Sequence, residues 1–183
     1  MKSLNTITKI VTKILETVHW ISAVFMVVCG IFAVAAPDML YKIVDVKSLK
    51  ESSDTSVYGF NVDIFNNAGE FDTQVFALFC VGAVIIFAAV AMIFRNINII
   101  IRKSEKDTPF KPDNIRMLRE IGIFSILIPI VGLIMCTIIR IINVGTIEAS
   151  VNQSGIVMGI IVLCLTQVFV RGAELEKDVD GLV

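Results

Sequence analysis

The 183-residue chain has long stretches without a single Asp, Glu, Lys or Arg. They run from Thr17 to Ala36, Val75 to Phe94, Ile121 to Ile139 and Gly155 to Val170. No carboxylate or basic group at membrane depth means no group for a proton- or ion-coupled pump to titrate there. There is one histidine, His19, which excludes a haem site built on paired histidines. Four cysteines, Cys29, Cys80, Cys136 and Cys164, fall one per apolar stretch and form no CxxC pair. A thiol-linked redox relay needs such a pair, and a lone Cys in lipid behaves as a small packing residue. HExxH, GxSxG and Walker sequences are all missing. The inventory points away from an enzyme, and no cofactor or metal is expected.

What is present is hydrocarbon. Residues of the apolar class make up 56% of the chain. About 20 helical residues cross a hydrocarbon core about 30 Å thick, and each stretch is near that length. The expected fold is an all-α membrane protein: a four-transmembrane-helix bundle in a single domain, with spans near residues 14–36, 74–101, 118–142 and 152–175. Lys and Arg are lopsided. Twelve of the sixteen lie before the first stretch, between the second and third, or after the fourth. The positive-inside rule then puts both termini of a multi-pass protein in the cytoplasm. Although Lys2, Lys9 and Lys13 precede an apolar run that ends in Ala33-x-Ala35, that run is longer than a secretory-signal core, so it reads as a retained helix.

The loop 37–73 is the one sizeable extramembrane piece. Alternation over Val57–Phe65 predicts a strand with Tyr58, Phe60, Val62 and Ile64 on one face. A second strand is expected over Tyr41–Val46, with the turn at Glu51–Ser56, giving a small extracellular β-hairpin between helices 1 and 2. Asp38, Asp45, Glu51, Asp54, Asp63, Glu70 and Asp72 make this loop acidic.

Inside the spans the polar groups are Ser125, Thr137, Thr166 and Gln167. Such groups commonly bond between helices, and Gln167 has the most groups to satisfy. His19 and Trp20 suit headgroup depth. Pro129 cannot donate to the Ser125 carbonyl, which predicts a bend. Gly155 and Gly159 form a GxxxG that permits close helix approach, within the chain or between copies.

Pro109 and Pro112 break the chain before the third span. Ile115, Leu118 and Ile121 then share one face, with Arg116 and Arg119 on another, predicting an amphipathic elbow along the inner leaflet. Its cations suit anionic lipid headgroups, or the acidic tail carrying Glu174, Glu176, Asp178 and Asp180.

The pattern Thr108-Pro109-Phe110-x-x-x-Asn114-x-x-x-Leu118-Arg119-x-Ile121-Gly122, followed by Gln167-Val-Phe169-x-x-Gly172-x-x-Leu175-x-x-Asp178, resembles the YoaS-like family of uncharacterised bacterial four-helix membrane proteins. That family's genes often accompany a small Cro-like regulator, so the resemblance implies a regulated membrane role and carries over no catalytic residue. The candidate interaction or structural motif comprises Pro109, Phe110, Asn114, Arg116, Arg119, Gly122, Gln167, Phe169 and Gly172. The function expected is non-enzymatic, through protein or lipid contacts in stress response, peptide immunity or sensing. The alternative is a small transporter or channel component with a hydrated cavity. Membrane lipids, a protein or peptide partner, and a second copy of the chain all remain open as partners; nucleic acid is not expected.

Overall fold

The computed structural model describes residues 2–43, 55–66, 69–104, 108–142 and 148–180. Its elements, in chain order, are α1 (Lys2–Ala35), α2 (Pro37–Ile43), β1 (Thr55–Val57), β2 (Phe60–Val62), α3 (Thr73–Ser104), α4 (Pro112–Ile142), β3 (Ala149–Val151) and α5 (Ser154–Asp180). Among the described residues, α1, α3, α4 and α5 are the four helices long and apolar enough to cross a membrane. The chain is a multi-pass membrane protein.

Each of these helices outruns its charge-free stretch. The 34 residues of α1 reach about 51 Å, so its first turns stand clear of a hydrocarbon core. The cause is local: Lys9, Lys13 and Glu16 are good helix formers, and nothing in Lys2–Glu16 breaks the helix. Similarly, α4 starts at Pro112, whose missing N–H costs nothing at a first helical position, and runs unbroken through Arg116, Arg119 and Pro129. The elbow expected before the third span is therefore the first turns of one continuous helix. At α3, Asp72 caps the start: its Oδ1 accepts from the Gln74 and Val75 amides at 2.9 and 3.0 Å.

The chain forms two compact units. One comprises residues 1–19, 89–127 and 154–183, and the other residues 20–88 and 128–153. The second unit contains a three-stranded antiparallel sheet in the order β1-β2-β3. The hairpin is present but differs from expectation. Tyr58 and Gly59 have φ of +49° and +83°, so the chain turns there and Val57–Phe65 is not a single strand. Positive φ at both central residues is the type I′ signature, whose twist matches that of the strands. Tyr41–Ile43 are helical, in α2, so the expected first strand does not form there; Val44–Val46 and the turn residues 51–54 lie outside the described residues. The third strand comes from the loop before α5, pairing Phe60 with Val151 and Val62 with Ala149. A lone hairpin is marginally stable, and this third strand together with helix packing completes it.

The sheet sits on α3 and α4 through glycines. A Cβ at Gly82 would lie 2.9 Å from the Phe60 ring, and one at Gly132 would lie 3.0 Å from Val151. Phe60 stacks on Phe79 with centroids 5.4 Å apart. Phe60, Val62 and Ile64 are buried, as the alternation predicted, whereas Tyr58 is exposed at the turn, edge-on to Phe87.

Candidate functional site

The two motif segments meet in the first unit. Phe110 precedes α4, and its ring lies against Gly172 of α5, where a Cβ would be 2.7 Å away. The Phe169 ring, one turn earlier on α5, has its centroid 5.5 Å from that of Phe110. Thr108 Oγ1 donates to Glu176 Oε2 at 3.2 Å. Asn114 is buried, and its Nδ2 donates to the Pro109 carbonyl at 3.3 Å, closing the turn that presents Phe110. Asn114 Oδ1 is buried without a hydrogen-bond partner. Beside this clasp is a cleft of about 440 Å³ bordered by Phe110, Lys111, Ile115, Glu174 and Lys177.

Deeper in the unit, α4 and α5 cross at a pair of glycines. A Cβ at Gly159 would be 2.8 Å from the Gly122 carbonyl oxygen, and one at Gly122 would be 3.2 Å from the Gly159 carbonyl oxygen. The GxxxG position Gly159 thus serves packing within the chain. Gly122, Phe110, Phe169, Gly172, Asn114 and Pro109 are structural parts of the α4–α5 junction.

Three expected roles change. The clasp is a ring in a glycine notch plus a hydroxyl–carboxylate bond, whereas Arg116 pairs with Glu120 one turn along α4 at 3.6 Å. Arg119 is exposed. Gln167 is exposed on α5, so it does not join helices. The hydroxyls of Ser125, Thr137 and Thr166 donate to their own helix, to the carbonyls of Ile121, Leu133 and Val162 at 2.8–2.9 Å. This back-bonding is the local alternative to an interhelical bond.

Interhelical polar bonds come instead from residues beyond the charge-free stretches. Asn98 Nδ2 of α3 donates to Thr12 Oγ1 and to the Lys9 carbonyl of α1, both at 2.8 Å. Asn96 Nδ2 donates to Glu120 Oε2 of α4 at 2.9 Å. Both asparagines and Thr12 are buried. His19 is buried as well, its Nδ1 2.6 Å from the Leu15 carbonyl and its ring 5.4 Å from Phe94, so it packs inside the unit. Two asparagines two residues apart in an isoleucine-rich helix, and so about 200° apart around it, were the available signal.

The clasp joins the two segments on which the sequence pattern rests, and the comparison with known families covers both. Residues 50–183 match the family described as "Protein of unknown function (DUF2975)". The chain belongs to the DUF2975 family. No curated protein and no solved structure matches it. In this DUF2975 chain the matched region begins before β1, so the sheet, the glycine crossing and the clasp all belong to the family region; α1 precedes it.

The second unit of the DUF2975 chain contains a different feature. A groove of about 530 Å³ runs between α1 and α3, walled by Met26, Ile31, Val34, Ala77, Val81 and Ile85 among others, all apolar. Gly30 and Cys80 form its floor, a Cβ at Gly30 being 3.2 Å from that of Cys80. Ser125, Thr137, Thr166 and Gln167 do not line it. Around this unit the described acidic side chains are Asp38, Asp63, Glu70, Asp72 and Glu148, and Arg140 donates to the Ala149 carbonyl at 2.7 Å; over the whole unit the sequence has eight acidic residues against four basic ones, Lys42, Lys47, Lys50 and Arg140.

Proposed function

We propose that this is a non-enzymatic, YoaS-like protein of the bacterial cytoplasmic membrane, with both termini in the cytoplasm, that works by binding a cationic amphipathic peptide from outside. Such a role fits peptide immunity or sensing. The observation that carries it is the all-apolar α1–α3 groove in a unit whose sequence has eight acidic residues against four basic ones. An amphipathic helix lays its apolar face in such a groove, and its cations pair with the acidic surroundings. Asp38, three residues past the groove-lining Ala35, is exposed and available for that pairing. The transporter reading asked for a cavity lined by hydroxyls and Gln167; those hydroxyls are spent on their own helices, which supports a contact role over conduction.

The test is photo-crosslinking in neutral phosphatidylcholine vesicles, with a benzoylphenylalanine at Val81 in the groove or at Val168, exposed on α5. A labelled cationic amphipathic peptide should give a discrete adduct at Val81 and little at Val168. Neutralising Asp38, Glu70 and Glu148 together should reduce it. Equal labelling by an anionic peptide of the same hydrophobicity, or equal labelling at Val168, would overturn the reading.

A further inference from the structure

A second cleft lies in the unit that holds both termini. It measures about 260 Å³ and is lined by Lys9, Ile10, Lys13 and Ile14 of α1 and by Arg102 of α3. We propose that it holds the phosphate headgroup of an anionic phospholipid, with Ile10 and Ile14 against the start of the acyl chains.

The site is assembled from two helices and fixed in place. Residues four apart on a helix stack on one face, so Lys9 and Lys13 form one stripe and Ile10 and Ile14 the adjacent one. Asn98 fixes the opposite wall: its amide bonds both the Lys9 carbonyl and Thr12 Oγ1 at 2.8 Å. Arg102 stands one turn beyond Asn98 on α3, which brings its guanidinium to the lysine stripe. Glu16 pairs with Lys13 at 3.1 Å, and Lys9, Lys13 and Arg102 all border the cleft.

Two observations select a phospholipid over a free anion. Ile10 and Ile14 are 55% and 56% exposed directly beside the cations, and a soluble phosphate has no use for them. Position along α1 agrees: Lys13 is four residues, about 6 Å, before the charge-free run that starts at Thr17. Cations at that height stand at the headgroups, where basic pockets between membrane helices bind acidic lipids. The inference is independent of what occupies the α1–α3 groove.

Native mass spectrometry of the full chain, released from detergent micelles containing phosphatidylglycerol or phosphatidylcholine, tests it. Phosphatidylglycerol should be retained in preference to phosphatidylcholine. Affinity should fall about fivefold for each cation removed, first with Arg102→Gln alone and then with Lys9→Gln and Lys13→Gln added. Arg102 is exposed, so the single variant keeps its fold, as circular dichroism would verify. Ile10→Ser with Ile14→Ser should weaken lipid retention, and Arg116→Gln with Arg119→Gln should leave it unchanged. The proposal is overturned if the triple variant retains lipid as wild type does, if both lipids bind equally, if the Arg116/Arg119 variant loses as much, or if inorganic phosphate displaces phosphatidylglycerol at equal concentration.

Discussion

The side-chain amide of Asn98 and the hydroxyl of Thr12 are 2.8 Å apart, joining α3 to α1. Thr12 Oγ1 itself donates to the Thr8 carbonyl at 2.8 Å, so one hydroxyl both gives and receives and neither buried group is left unsatisfied. Asn98→Leu should therefore destabilise the protein by about 1–2 kcal/mol, and Thr12→Val by about 1 kcal/mol, within the range of polar contacts between membrane helices. Because the two share a bond, the double variant should cost less than the sum, as read by unfolding in mixed micelles.

The glycine crossing makes a steric prediction. A methyl at Gly159 meets the Ile126 side chain and the Gly122 carbonyl, and the latter is backbone that cannot rotate away. Gly159→Ala should cost about 1–3 kcal/mol, as overpacking does in a close-packed interior. The same unfolding assay should show a smaller loss for Gly122→Ala, whose two nearest neighbours are side-chain atoms of Leu163, with the backbone Gly159 carbonyl farther off at 3.2 Å.

Removing the Phe110 ring should release the end of α5 while leaving the sheet intact. Phe110→Ala is expected to raise amide exchange over residues 171–180 and to leave exchange in Phe60–Val62 unchanged. Since Phe110 is only half-buried, the global loss should be about 1–2 kcal/mol, below the range for a fully buried Phe. Arg116→Gln should leave exchange in the tail as it is, because Arg116 pairs with Glu120.

The hairpin turn depends on Gly59. Its φ of +83° is poorly tolerated by residues with a Cβ, and a Cβ there would lie 2.7 Å from that of Asn152. Gly59→Ala should cost more than about 1 kcal/mol and should detach β3, which is tied to the turn by the Asn152 amide donating to the Gly59 carbonyl at 2.8 Å. Loss of exchange protection at Asn152 would report the detachment.

The four spans were legible because charge is costly in lipid, so its absence over Thr17–Ala36 or Val75–Phe94 is written directly into the chain. The sheet was legible only in part. Phe60, Val62 and Ile64 announced a buried face, but Tyr58-Gly59 lacks the usual Asn-Gly or Asp-Gly of a type I′ turn, and no local signal links Val62 to Ala149 across two helices. At the clasp the expected contact was Arg116 and Arg119 with the acidic tail, and the contact found is Phe110 against Gly172. Arginines and carboxylates are conspicuous in sequence, whereas the fit of Phe110 against Gly172 is a matter of shape that exists only once the helices are placed. The interhelical roles of Asn96 and Asn98 were not legible for a related reason: their partners, Glu120 and Thr12, are distant along the chain.

The account's central claim is that the apolar α1–α3 groove receives an amphipathic cationic helix. The most direct measurement is the affinity of such a peptide, by fluorescence anisotropy in neutral phosphatidylcholine nanodiscs, for wild type and for Ala77→Phe, which fills the groove from one wall. The expected result is saturable binding to wild type that weakens about tenfold in Ala77→Phe, the equivalent of losing one well-buried anchor, with unfolding temperature unchanged. Equal affinity for both proteins would contradict the claim.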